Sequence, residues 1–149
     1  MIPTASPNRF FAGAREFLSK LHEIRARVVA VSNTFWRSSE DYARDFERAG
    51  VLQYFEAIIT SLDEGVRKPD LRIFRSALRL ARVDAADTVV IGNSERMDIQ
   101  PAVRLGIRSV LVAIEDPLPS GTAAHAVVTS LDELADLIRS WAYSEQTEP

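Results

Sequence analysis

Ser32, Asn33, Lys68, Asn93 and Asp98 are the residues of this sequence whose types and placement suggest chemistry. The apolar run Val28 to Val31 ends in Ser32-Asn33-Thr34, and Thr88 to Ile91 ends in Gly92 and a polar knot of Asn93, Ser94, Glu95, Arg96 and Asp98. Lys68 stands in Lys68-Pro69-Asp70, after the run Ala57 to Thr60 and a polar connection from Ser61 to Arg67. Ser32 and neighbouring backbone N–H groups can donate to the oxygens of an anion, and an ammonium can neutralise its charge. The Asp98 carboxylate and the Asn93 side-chain oxygen are hard ligands of the kind Mg²⁺ accepts. Together these groups suit a phosphate or a small phosphorylated molecule with a divalent cation. Each also has a plain structural use: Ser and Asn serve turns, a loop lysine is commonly solvated, and Asp98 can cap a helix starting at Ile99. Of the 18 basic residues only Lys20 and Lys68 are lysine, and a compact point charge is what distinguishes lysine from arginine.

The elements that must position these groups follow from the hydrophobic pattern. Val28–Val31, Ala57–Thr60, Thr88–Ile91 and Ser109–Ala113 are short continuous apolar runs, which read as strands covered on both faces, and Ala126–Val128 reads as one more. Between them lie helical patterns. Ala14, Phe17, Leu18 and Leu21 fall at i, i+3, i+4 and i+7. Ser38 and Asp41 make a capping box ahead of Tyr42, Phe46 and Ala49, with Gly50 as the stop. Asp70 caps a helix from Leu71 to about Ala81, and Ile99 to Leu105 closes at Gly106. Ser130 and Glu133 open a last helix through Leu134, Leu137, Ile138 and Trp141. Strands alternating with helices predict a Rossmann-like three-layer α/β/α sandwich with a mostly parallel sheet. Strand C-termini then share one edge, where ligands bind, so the three polar clusters are expected to meet there.

Composition sets the bounds. With 149 residues one domain is expected. Residues 1–12 read as an irregular lead-in, 13–142 as the core domain, and 143–149 as a tail that frays. A net charge of -3 argues against a nucleic-acid surface. The absence of cysteine excludes disulfides and thiolate metal sites, and His22 and His125 form no metal-binding pair. No apolar run reaches the length of a membrane span, and the first residues do not form a signal peptide, so a cytoplasmic address is expected. Gly92-Asn93-Ser94-Glu95-Arg96 begins like a serine-hydrolase elbow, but Arg96 stands where the second glycine is needed.

VVAVSN ending at Asn33, RKPDLRIF from Arg67 to Phe74, and VVIGNSERMDIQPAVRLGIRSVLV from Val89 to Val112 give the chain a specific likeness. It resembles a haloacid dehalogenase-like (HAD superfamily) hydrolase core over roughly residues 11 to 140. That resemblance implies a phosphatase-type hydrolase in which Ser32 bonds the transferred phosphoryl group and Lys68 holds the nucleophile and phosphate charges together. It also implies that Asn93 and Asp98 occupy the metal-binding motif, normally two acids. Asn93 has lost the negative charge of the first, so Mg²⁺ is expected to bind weakly or not at all.

The family's Asp-x-Asp nucleophile and acid/base pair has no match: no two aspartates here are two residues apart, and no cap segment precedes the helix at Ala14. The fold is accordingly expected to be a HAD-like core truncated at the N-terminus, with the nucleophile encoded upstream or supplied by another polypeptide. Weak or absent activity of the chain alone follows. The alternative is a non-catalytic phosphate-binding or protein-interaction module with a degenerate fold. The resemblance implies that the missing strand would lie between the runs at Val28 and Thr88. Those two strands are expected to pair directly, or else Ile2 to Phe11, a homodimer mate or a partner chain covers the gap.

Overall fold

The computed structural model describes residues 13–114, 117 and 120–144 of the chain. Helix α1 (Ala14–Glu23) leads into strand β1 (Val28–Ser32), and α2 (Ser39–Arg48) into β2 (Phe55–Thr60). The short α3 (Ser61–Glu64) and α4 (Leu71–Ala81) precede β3 (Val89–Gly92). A single π-helical turn (Glu95–Ile99) runs into α5 (Gln100–Arg104), followed by β4 (Arg108–Val112), β5 (Ala126–Val128) and α6 (Leu131–Ser144). The strands and the capped helices fall where the apolar pattern places them. Ser38 accepts from the Asp41 backbone N–H and Asp41 accepts in return from that of Ser38, a bond that holds the Asp41 carboxyl below its ordinary range. Helix α6 runs to Ser144, two residues into the segment expected to fray. The lead-in expected over residues 1–12 lies outside the described residues.

All strand pairs are parallel, and among the described residues the strands form two separate ladders. One is β2-β1, the other β3-β4-β5. The expectation that β1 and β3 pair directly is therefore not met, and the alternative that Ile2 to Phe11 covers the gap lies outside the described residues. Instead the two ladders are held side by side by the helices above and below them. On one face Leu21 of α1 and Leu134 and Ile138 of α6 pack with Val28 of β1, Val89 of β3, Val110 and Val128. On the other face Ile73 and Phe74 of α4 pack with Val29 and Val31 of β1, Ile59 of β2 and Val90 of β3. The pleat explains this sorting, since successive residues of a strand point to opposite layers. Three layers result, and among the described residues no strand stands between β1 and β3 in the middle one, a position we term the slot.

Burial along the strands reports the same slot. β4 has a neighbour on each edge, and Ser109, Val110 and Leu111 are buried. β1 reads in sequence as a fully covered strand, yet all five of its residues are only half-buried. Its apolar residues have helices above and below and, among the described residues, a strand on one side alone.

Candidate functional site

The three sequence clusters meet at the C-terminal edge of the strands. Lys68 Nζ lies 2.7 Å from Asp98 Oδ1, with the two side chains 17% and 8% exposed. Such a charge-assisted bond in a nearly closed setting is strong and directional. The other Asp98 oxygen, Oδ2, accepts the backbone N–H of Ser94 at 3.2 Å. Asp98 sits in the π-helical turn, where the extra residue per turn swings the side chain back over Gly92. π turns of this kind recur at functional sites.

Gly92 is what permits that approach. A Cβ built at Gly92 would overlap Asp98 Cβ, Cγ and Oδ2. Gly92→Ala is expected to force the carboxylate off Lys68 and to cost about 2 kcal/mol by overpacking, roughly 4–8 °C in Tm. Thermal melts check this against Gly121→Ala, where the added methyl meets nothing; equal Tm values for the two variants would refute it.

The Asn33 side chain, a phosphate-binding candidate by its position after β1, bonds the main chain of Lys68. Its Nδ2 donates to the Lys68 carbonyl at 3.0 Å and its Oδ1 accepts the Lys68 backbone N–H at 2.8 Å. The side chain therefore grips the main chain of Lys68 like a paired strand and fixes where the ammonium starts. The Ser32 hydroxyl donates to Tyr42 Oη at 3.1 Å, so serving an anion requires turning its proton away from the tyrosine. The Lys68-Pro69 peptide is cis.

Sequence reasoning placed Tyr42 only on the inner face of α2, and passed over Ser61 and Arg67. Ser61 Oγ accepts the Thr34 N–H and donates to the Thr34 carbonyl, both at 2.9 Å, which pins the loop after β1 to the end of β2. No spacing rule signals a bond between residues 34 and 61.

Asn93 and Asp98, the candidate Mg²⁺ ligands, bring a single carboxylate between them. Mg²⁺ takes near-octahedral oxygen ligands with carboxylate charge among them. Here Asn93 is exposed, and the one carboxylate already has Lys68 on one oxygen and an N–H on the other. Among the described residues no group of three or more His, Asp or Glu side chains is assembled to hold a metal ion. An open cavity of about 540 Å³ lies elsewhere, at the opposite ends of β1 and β2 beside His22, Arg25 and Tyr54, far from the lysine. No helix among the described residues is long and apolar enough to cross a membrane.

The family model for haloacid dehalogenase-like hydrolases matches residues 1–106. The haloacid dehalogenase-like hydrolase domain-containing protein 3 of Bos taurus is 39% identical over 94 residues, 63% of this chain and 36% of that protein. The pyrimidine 5′-nucleotidase YjjG of Escherichia coli is 32% identical over 125 residues, 81% of this chain and 54% of the nucleotidase. The chain thus spans about half or less of these relatives. The magnesium-bound structure of YfnB from Bacillus subtilis shares the fold, with a TM-score of 0.73 at 22% identity over 85% of this chain and 55% of that one.

Proposed function

The chain belongs to the haloacid dehalogenase-like hydrolase family, and from that premise we propose that its Lys68–Asp98 corner is the phosphate-facing part of a phosphomonoesterase-type site. The observation that carries this reading is the meeting of Lys68 and Asp98 at 2.7 Å, from segments that follow two different strands, with Ser32 one residue from the Asn33 clamp. A lysine fixed at both its main chain and its ammonium is preorganised. It presents charge to a phosphoryl oxygen without first having to be ordered. The activity in the name of the E. coli relative, a pyrimidine 5′-nucleotidase, supports an ester of phosphate as the substrate class. A cytoplasmic address belongs to the same reading.

Phosphoryl transfer also needs an in-line nucleophile and a group to handle the leaving-group proton. The sequence holds no Asp-x-Asp pair, so on this reading the chain by itself binds phosphate and turns esters over weakly or not at all. A second reading, a non-catalytic phosphate-binding or protein-interaction module, is favoured by Asn93, which puts a neutral amide where the family resemblance implies an acid. Calorimetry with inorganic phosphate and turnover of p-nitrophenyl phosphate in Mg²⁺, each beside Lys68→Ala, test the two. Lys68-dependent binding with turnover, however slow, supports the hydrolase. Lys68-dependent binding without turnover fits the module and equally a hydrolase whose nucleophile is supplied from elsewhere, which restored turnover on adding an Asp-x-Asp strand then tells apart. Phosphate binding that ignores Lys68 defeats both.

Weak or lost Mg²⁺ binding is part of the proposal. Asn93→Asp adds the missing charge beside a carboxylate that Lys68 neutralises, and is expected to tighten Mg²⁺ binding about tenfold or more, roughly 1.4 kcal/mol. Calorimetric titration with Mg²⁺ measures it, and unchanged affinity would show that position 93 does not face the metal.

A further inference from the structure

We propose that Phe35, Trp36 and Arg67 form a stacking platform at the mouth of this site, and that the phosphate ester it takes carries a flat aromatic group, a nucleoside monophosphate. The proposal rests on the phosphomonoester reading of the Lys68 corner and adds the class of its leaving group.

Phe35 and Trp36 are the two most exposed large apolar residues described, at 71% and 66%. They are stacked on one another, with ring centroids 6.2 Å apart and planes 29° from parallel. The Arg67 guanidinium lies over the Phe35 ring, 4.7 Å from its centroid. An apolar pair left in water beside a planar cation offers two kinds of face that a purine or pyrimidine ring can cover, aromatic and guanidinium.

Position ties the platform to the lysine. Phe35 is two residues beyond Asn33, so their Cα atoms are at most about 7 Å apart, and Asn33 is bonded to Lys68 itself. Arg67 directly precedes Lys68. A ligand whose phosphate meets Lys68 therefore has the platform within reach of its other end.

The platform is also held still. Ser61 pins Thr34 through two hydrogen bonds. Thr34 Oγ1 in turn accepts the backbone N–H groups of Trp36 at 3.4 Å and Arg37 at 3.1 Å. Arg37 pairs with Asp45 and lies over the Tyr42 ring at 4.4 Å. These bonds hold the main chain that carries the two exposed rings, while the rings themselves are held by their mutual stacking and by Arg67. Small aliphatic phosphates would leave both rings in water.

Calorimetric binding of uridine 5′-monophosphate, ribose 5-phosphate and inorganic phosphate to the full chain tests this, with a Phe35→Ala/Trp36→Ala double variant and with Lys68→Ala. Both aromatic positions are exposed, so the double variant is expected to fold, which circular dichroism checks. Uridine 5′-monophosphate is expected to bind at least tenfold tighter than ribose 5-phosphate. The double variant is expected to erase that preference while leaving inorganic phosphate binding unchanged, and Lys68→Ala to weaken all three. Equal affinity for the nucleotide and the sugar phosphate, or a preference that survives the double variant, overturns the platform and leaves the phosphate reading standing. Phosphate binding that does not depend on Lys68 overturns the phosphate reading and the inference resting on it.

Discussion

Replacing Lys68 by alanine is expected to lower Tm by about 6–12 °C and to abolish phosphate binding. The structural loss comes from the partner left behind. Asp98 is only 8% exposed at its side chain, and without the ammonium its Oδ1 faces a closed setting with no cation. Removing one member of a buried pair costs about 3–5 kcal/mol because the other charge stays desolvated. Taking the lower end, since Lys68 remains 17% exposed, about 3 kcal/mol converts to the Tm change given for a domain of this size. A second substitution separates stability from binding. Lys68→Met with Asp98→Asn removes both charges together and is expected to recover most of the lost Tm while leaving phosphate unbound. Thermal melts and phosphate titrations of the single and double variants measure the two effects. If Lys68→Ala melts within a degree of the parent chain, the pair is solvated in practice and the preorganised corner does not exist.

The strands and helices were legible in the sequence because each depends on local spacing. Asp70 begins α4 and Ala81 ends it, where the cap and the apolar stripe said they would. The meeting of Lys68 and Asp98 was legible for a different reason: in a parallel sheet every strand delivers its C-terminal residues to one edge. Pairing across the sheet was not legible. Val28 to Val31 has the composition of a strand covered on all sides, and composition records which faces are apolar, not how many neighbours are present. The bond from Asn33 to the Lys68 main chain was not legible either. An Asn at a strand end is equally suited to a ligand and to a main chain passing alongside, and only the path of residues 67–69 decides between them.

The slot between β1 and β3 is where the largest functional change is expected. Its two edges are strands that hydrogen-bond on one side only among the described residues, and α1 and α4 already pack across it from above and below. One extended strand running parallel to both would complete two ladders and cover Val28, Val29 and Val31. Because α1 packs against β1 and β3 and feeds β1, a strand joined ahead of Met1 is expected to reach the slot by the right-handed crossover that parallel sheets favour. We expect a chain extended there by a five-residue apolar strand ending in Asp-x-Asp to gain several degrees in Tm. It is also expected to hydrolyse p-nitrophenyl phosphate about 10³-fold or more faster than the parent, within the 10⁶ that a lost nucleophile costs in a serine protease. The same extension ending in Asn-x-Asn separates architecture from chemistry. It is expected to keep the gain in Tm and lose the gain in rate, since an amide fills the slot equally well and cannot attack phosphorus. A rate gain that survives in the Asn-x-Asn chain would show that the first carboxylate is not the nucleophile. A Tm unchanged by either extension would show that the two ladders are complete without a strand between them.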